Sequence, residues 1–288
     1  MTNRISDHCK TLVAFQGEHG AFSELAARDY FCTEIDTLPL RSFDDVFQSV
    51  LRRRAHLGII PIENSLFGSI HQNYDLLRRH SLKIVGETKL RIVHSLLAHP
   101  KVRLRDVRFV YSHPQALGQC EKFLHTLKHA EAVAIYDTAG GAKFIKETNR
   151  REAAAIASSE AARVYGLRTL RTGIESSHKN FTRFLILSRT EAPAGAHAKT
   201  SIIFLLKNIP GSLYKALSVF ALRKINLHKI ESRPLVGRPW EYVFYLDFQG
   251  SIRDKACRAA VNRLGSITTN MKILGSYPEG NTGKASAR

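Results

Sequence analysis

The chain has 288 residues, 44% hydrophobic and 24% charged, which fits a soluble globular protein of roughly two domains with ample length to bury a core. No apolar run approaches the ~20 residues of a membrane span, and the opening MTNRISDHCK lacks the apolar stretch of a secretory signal, so no membrane partner is expected and the default location is cytoplasmic, or plastid if a transit peptide has been trimmed. The net charge of +18 is dispersed over Arg52 to Arg54, Arg78 and Arg79, Arg103, Arg105 and Arg108, and Arg168 and Arg171; without an aromatic-interleaved stripe it reads as a solvated basic surface that speeds encounter with anions, and no nucleic-acid partner is expected.

Residues 11–16 (TLVAFQ) form a short apolar run ending at Gly17, the pattern of a buried strand, and residues 21–31 have helical composition. Residues 43–54 place Phe43, Val46, Phe47 and Val50 on one helical face. HLGIIPI at 56–62 reads as a strand and 68–79 as a helix, and this alternation predicts an α/β layer with parallel pairing. Further strands are expected in LKIVGE, LRIVHSLLA, VRFVYS, AAAIAS and FTRFLILS. Helices are expected over 114–126, started by Pro114, and over 139–147 and 159–165. The small, polar, Pro/Gly-bearing stretch 190–198 reads as a linker. Beyond it the order is βαββαβ, the ferredoxin-like split motif, followed by a polar tail EGNTGKASAR expected to be disordered. Cys9, Cys32, Cys120 and Cys257 are scattered, with no C-x-x-C and no zinc spacing, so reduced thiols and no metal site are expected.

Five segments hold more polar groups than structure alone requires. GEHGAFSE (17–24) sets glycines between a strand and a helix, which suits an anion at the helix N-terminus and equally suits a plain tight turn. In PIENSLFGSI (61–70), Glu63, Asn64 and Ser65 crowd a strand exit, where open α/β sheets bind ligands; helix capping needs only one of them. SHPQALGQC (112–120) repeats the arrangement with Ser112 and His113. In NFTRF, strand alternation sends Asn180, Thr182 and Phe184 to one face and Phe181 and Arg183 to the other, so Arg183 reaches the same ligand only if the local geometry is irregular. NIPGSL (208–213) and NLHKIESRP (226–234) lie in the βαββαβ half, and Gly211 sits where backbone N–H groups at a helix start could meet a carboxylate.

Together GEHGAFSE, PIENSLFGSIHQNYDLL, SHPQALGQC, DTAGGAKFI, AAIAS with AARVYGL, NFTRF and PGSLYKALSVFALRKINLHKIESRP resemble the prephenate dehydratase family, including plant-type arogenate dehydratases, over roughly residues 11–278. The sequence departs from the family pattern at His19 in GEHG, at Gly141 where alanine is usual, and in PGSL where the regulatory motif often reads GAL. The resemblance implies an α/β fold: a catalytic half over 11–189, made of two subdomains like a periplasmic binding protein with a cleft between them, and a ferredoxin-like ACT regulatory domain over 198–278. It implies a carbon–oxygen lyase that converts prephenate to phenylpyruvate, or arogenate to phenylalanine. It also implies phenylalanine as allosteric effector and a homodimer or homotetramer paired through ACT domains. No cofactor is implied, because the departing groups carry no redox change. Carried over position by position, Thr182 is the catalytic hydroxyl with Glu63 as polarising partner. Phe22, Ser23, Asn64, Ser65, Ser112, Gln115, Thr138, Asn180, Arg183 and Phe184 form the substrate site, with Arg183 as anion clamp and Phe22 and Phe184 as apolar walls. Asn208, Gly211, Ser212, Leu213, Glu231, Ser232 and Arg233 form the effector site. A non-catalytic solute binder is the rival from another class, and retention of Thr182 and Arg183 speaks against it.

Overall fold

The computed structural model describes residues 10–280 apart from Ala196, Val236 and Pro239. Cys9 and the tail beyond Gly280 lie outside the described residues. The elements run in chain order as β1 (Leu12–Gln16), α1 (Phe22–Phe31), β2 (Asp36–Leu40), α2 (Phe43–Leu51), β3 (Leu57–Asn64), the two-residue β4 (Gly68–Ser69), α3 (His71–Arg79) and β5 (Lys83–Arg91). Next come β6 (Ser95–Ala98), β7 (Phe109–Ser112), α4 (Pro114–Gln119), α5 (Glu121–Leu124), β8 (Glu131–Ala134), α6 (Thr138–Glu147), β9 (Ala153–Ala157), α7 (Ser159–Tyr165), β10 (Arg168–Thr172) and β11 (Phe181–Ser188). The last six are β12 (Ala198–Leu205), α8 (Ser212–Ala221), β13 (Leu227–Pro234), β14 (Tyr242–Gln249), α9 (Lys255–Ile267) and β15 (Asn270–Pro278), in the βαββαβ order expected.

Three sheets result. The first has the order β2-β1-β3-β11-β5 with β4 hairpinned onto β3, and β1 pairs in parallel with both its neighbours. The second has the order β10-β6-β9-β7-β8; β7 pairs in parallel with β8 and β9, while β6 runs antiparallel to β9 and β10. The pairing is therefore mixed, not purely parallel. The third has the antiparallel order β13-β14-β12-β15. Val13, Ala14 and Phe15 of β1 have no exposed surface, as a strand covered on both faces requires. A capping box between Ser42 and Asp45 starts α2, whose Val46, Phe47 and Val50 are fully buried. The alanine-rich central strand β9 (AAAIA) and its neighbour β7 let α6 ride close: a Cβ on Gly141 would stand 3.6 Å from Ala155 Cβ and 3.0 Å from the Tyr111 carbonyl oxygen. The helix expected over 114–126 breaks at Cys120 into α4 and α5.

The described chain divides into two compact units. One comprises residues up to 70 and 88–184; the other comprises 71–87 and 185–280. In the second unit α3 and the start of β5 cover the sheet face away from α8 and α9. Tyr245 donates to the Tyr74 carbonyl at 3.0 Å, Lys272 Nζ to the Leu77 carbonyl at 2.8 Å, and Gly275 lies so close to the Ile84 backbone that a Cβ would meet it at 2.2 Å. The buried Lys199 ammonium pairs with Glu87 at 2.6 Å. The core on the helical face is built from Ile202, Phe204, Phe220, Leu246, Phe248 and Leu264.

Candidate active site

The polar centre of the first unit forms where the end of β3 meets the start of β11. Asn64 Nδ2 donates to Thr182 Oγ1 at 3.0 Å and to Asn180 Oδ1 at 2.8 Å. Asn64 Oδ1 accepts the backbone N–H groups of Leu66 and Phe67 at 3.0 and 3.1 Å, so the turn after β3 fixes which way the amide points. Asn180 Nδ2 in turn donates to Gln119 Oε1 at 3.0 Å. Gln119 stands at the end of α4 and also lies 2.5 Å from His94 Nε2. Asn64, Asn180 and Thr182 are all buried. Sequence reading brought the first three together and missed Gln119 and His94. The cue for Gln119 was its position seven residues after Ser112 on a helix starting at a strand exit.

Glu63 and Arg183 form a separate pair, Arg183 Nη1 to Glu63 Oε2 at 3.9 Å. Successive side chains on a strand point to opposite faces, so this pair sits across the sheet from Asn64 and Thr182. The polarising contact that the resemblance gave to Glu63 is made by Asn64, and Arg183 follows the alternation rather than breaking it. Phe184 is 2% exposed, two residues along β11 from Thr182 and on the same face of the strand. Phe22 stands edge-on to the His94 ring, with centroids 5.3 Å apart, and the neighbouring Ser23 is buried.

Two of the expected hydroxyl donors are tied into the backbone. Ser65 Oγ donates to the Lys179 carbonyl at 2.7 Å and accepts Phe181 N–H at 2.9 Å, which fastens the start of β11 to the end of β3. Ser112 Oγ donates to the Ile156 carbonyl at 2.7 Å, linking β7 to β9. His113 caps α4 by accepting Gln115 N–H at Nδ1, and burial lowers its pKa. Gln115 itself is exposed. Thr138 opens α6 beside its cap Asp137.

The glycine turn after β1 is filled from within. Buried Glu24 accepts Gly20 N–H at 2.7 Å, Arg28 Nη2 at 2.8 Å and Thr37 Oγ1 at 2.8 Å. Burial by itself pushes the Glu24 carboxyl up, but these three hydrogen bonds and the nearby His19 outweigh it and hold it below the ordinary range. Ser158 Oγ donates to the Gly20 carbonyl at 2.6 Å, and a Cβ on Gly20 would fall 2.7 Å from Ala161 Cα. Asp137 accepts Gly140 N–H at 2.8 Å, and a Cβ on Gly17 would lie 2.9 Å from its Oδ2. Burial raises the Asp137 pKa. A crevice of about 730 Å³ along this turn is lined by Gln16, Glu18, Arg41, Tyr136, Lys143 and Glu147 among others; neither Asn64 nor Thr182 lines it. Burial, with Glu175 adding to it, pushes the Cys120 thiol up to about 12, which leaves it un-ionised. Among the described residues, no group of three or more His, Cys, Asp or Glu side chains is placed to hold a metal ion, and no helix is long and apolar enough to cross a membrane.

The family model for prephenate dehydratase matches residues 13–192, a range that includes every residue of the Asn64–Thr182 centre. The chain belongs to the prephenate dehydratase family. An arogenate dehydratase/prephenate dehydratase 2, chloroplastic, from Arabidopsis thaliana is 46% identical over 96% of this chain and 75% of its own length. Among solved structures, the prephenate dehydratase of Arthrobacter aurescens in complex with L-Phe is 29% identical, with a TM-score of 0.85 over 93% of this chain and 90% of that one. A chain described as a novel type of quorum quenching acylase is 36% identical, with a TM-score of 0.85 over 93% of this chain and 98% of that one.

In this prephenate dehydratase family member, the positions matched to the effector site fall into two groups. Asn208, Gly211 and Leu213 are exposed at the start of α8, with Ser212 opening the helix and Gly211 at φ +80° as its cap. Ser232 is exposed on the outward face of β13. Glu231 and Arg233 occupy the opposite face of the same strand and pair with α3: Glu231 Oε1 lies 3.3 Å from His71 Nε2, and Arg233 Nη2 lies 3.2 Å from Asp75 Oδ2. Ser212 N–H already donates to the Ile209 carbonyl, so it is not one of the N–H groups open to a carboxylate.

Proposed function

We propose that this chain catalyses the decarboxylating dehydration of prephenate to phenylpyruvate in phenylalanine biosynthesis, under control by phenylalanine. The observation that carries the reading is the Asn64–Thr182 contact, a hydroxyl held by an amide in a buried polar centre. Prephenate bears a ring hydroxyl, a ring carboxylate and a pyruvyl carboxylate. The carbon–carboxylate bond breaks and its electron pair enters the ring as CO2 leaves. The carbon–hydroxyl bond breaks with its pair, and the departing hydroxyl takes a proton to become water. Thr182 Oγ1 accepts from Asn64, so its own proton is directed to another acceptor, here the departing hydroxyl. The Asn64 N–H stabilises the charge that then grows on the threonine oxygen, and a proton taken up from solvent restores the hydroxyl and completes the cycle. Asn180 and Gln119 extend this wall. Arg183, paired with Glu63 on the face of the sheet away from Thr182, stays outside this substrate face, so the anion clamp expected of it is not part of the reading. Ser23, Thr138 and Gln115 border the substrate, and Ser65 and Ser112 hold the strand ends that shape its walls.

Arogenate is the alternative substrate, supported by the double name of the Arabidopsis relative. Side-by-side kcat/KM on prephenate and arogenate decides between them, with phenylpyruvate and phenylalanine as the respective products. Hydrolysis of an acyl amide, the acylase reaction, needs a base beside its nucleophile. The group bonded to Thr182 is an amide, which takes no proton, and this favours dehydration; acyl-amide hydrolysis without turnover of either dehydratase substrate would overturn that choice.

Residues 11–189 are the catalytic half and 198–278 the ACT regulatory domain. Phenylalanine binds preferentially to one state of the enzyme and shifts activity by that difference. Supporting this are the βαββαβ order and the L-Phe complex of the Arthrobacter aurescens structure. Titrating phenylalanine against activity tests it, and an absence of response at millimolar concentration counts against it. The chain assembles as a homodimer or homotetramer through its ACT domains, which light scattering measures. Its location is the cytoplasm, or the plastid as in the name of the Arabidopsis relative.

A further inference from the structure

The proton count along the buried amides leads to a residue outside the reacting centre. Backbone N–H groups can only donate, so the oxygen of Asn64 must be the atom that meets Leu66 and Phe67, and its nitrogen must face inward. An amide nitrogen can only donate, so Asn180 must turn its oxygen to Asn64 and its nitrogen to Gln119. Gln119 must then present its oxygen, and the last member of the chain, His94 Nε2, must carry a hydrogen. Each orientation follows from the one before, starting from the backbone and ending at a tautomer.

The surroundings of His94 agree with that assignment. The side chain is 2% exposed, and its Nδ1 is buried with no hydrogen-bond partner among the described residues, as a bare ring nitrogen can be. Its backbone N–H donates to Glu175 Oε2 at 3.0 Å, and Phe22 closes over the ring. Burial lowers the His94 pKa, with the Gln119 hydrogen bond and Glu175 opposing it, so the neutral ring is the form that donates at pH 7. Arg91 and His178 reach the other oxygen of Glu175 at 3.8 and 3.7 Å.

We propose that His94 is a positioning residue for the Thr182 site: its Nε2–H holds the Gln119 oxygen toward Asn180 and thereby keeps Asn180 and Asn64 in the one orientation that leaves the Thr182 proton directed at the substrate. Its kinetic consequence rests on the dehydratase reading above; the geometry does not.

The test compares His94→Phe, which keeps ring volume and loses the donor, with His94→Gln, which keeps an N–H donor and loses the ring. His94→Phe lowers kcat by about 10- to 100-fold, as a displaced reacting group does, with KM changed by little. His94→Gln recovers most of that loss, although its thermal stability is the lower of the two. Equal kcat in the two variants, or loss that follows thermal stability, shows a packing role and overturns the proposal. Ring 15N spectra of the full-length wild type, assigned by the signal missing from His94→Phe, give the second readout. They show Nε2–H with bare Nδ1 at neutral pH, and the side-chain amide signals of Asn180 and Gln119 move in His94→Phe but not in His94→Gln. A ring protonated on Nδ1 overturns the proposal whatever the enzyme turns over. Failure of the wild type on both prephenate and arogenate, with the spectra as expected, removes the dehydratase reading and leaves the positioning role standing.

Discussion

The exits of β1 and β3 look alike in sequence, each a strand running into small and polar residues before a helix or hairpin, yet they are put to opposite uses. At the β1 exit the carboxylate of Glu24 folds back onto Gly20 N–H and takes Arg28 and Thr37 with it, while Ser158 and Asp137 close over the glycines. At the β3 exit the described partners of Asn64, Thr182 and Asn180 are amides, a hydroxyl and backbone N–H groups, all neutral. Asn64 uses its oxygen on the turn and its nitrogen on Thr182 and Asn180, and the threonine proton is left to point elsewhere. A strand exit that supplies its own anion is architecture; one that stops at neutral amides and a hydroxyl has capacity for a ligand.

Substitutions separate the two uses. The largest effect is expected at the β3 exit: Thr182→Ala lowers kcat by about 10²- to 10⁴-fold, the range for losing a positioned proton donor, with KM changed by little and the circular dichroism spectrum unchanged. Near wild-type turnover would sink the assignment. At the β1 exit, Gly20→Ala forces a Cβ against the Ala161 backbone at φ +85° and costs on the order of 1–3 kcal/mol or more in urea unfolding. The folded fraction keeps its kcat; a kinetic defect in fully folded Gly20→Ala would erase the distinction between the exits.

Glu24→Gln sharpens the contrast through pH. The folded carboxyl lies below its ordinary value, so Glu24 contributes stability that is complete above the usual glutamate range and is lost as pH falls through that range toward the folded value. The variant is less stable at pH 7 by about 1–3 kcal/mol, the cost of weakening bonds to a buried charge. Its stability also falls less steeply between pH 6 and pH 3 (about the glutamate range), and unfolding midpoints that run parallel to wild type across that interval would show that the carboxylate is not what holds the turn. The smallest effect belongs to the pair across the sheet from Thr182. Arg183→Ala leaves kcat and KM within about twofold of wild type, because its guanidinium lies on the face away from Thr182. A kcat loss as large as that of Thr182→Ala would place Arg183 at the reacting atoms instead.

The sequence made the buried framework legible because burial leaves a pattern. The apolar runs of β1, β3, β9 and β11 and the βαββαβ order were all readable, and alternation correctly separated Arg183 from Thr182. What it did not reveal was exposed or depended on distant partners. β2, β8 and β10 went unread, and each is an edge strand: their side chains are mostly exposed or half-buried, so no apolar period marks them. The break of the 114–126 helix at Cys120, and with it the placing of Gln119 against Asn180 and His94, arises from contacts between residues some 25 to 61 positions apart. No local propensity encodes those. The glycine turn was readable as a turn, but its occupation by Glu24 depends on Thr37 from another strand.

Those same edges have a further consequence for how the protein behaves when concentrated. An outer strand shows a row of unsatisfied backbone groups to any passing chain and invites sheet-to-sheet self-association. Here β2 carries Pro39, which has no N–H to offer, while β10 carries Arg168 and Arg171 and slips register between Thr169 and Arg171. Part of the excess positive charge thus stands where it guards a sticky border, and replacing Arg168 and Arg171 with valine is expected to lower solubility well before it touches the fold.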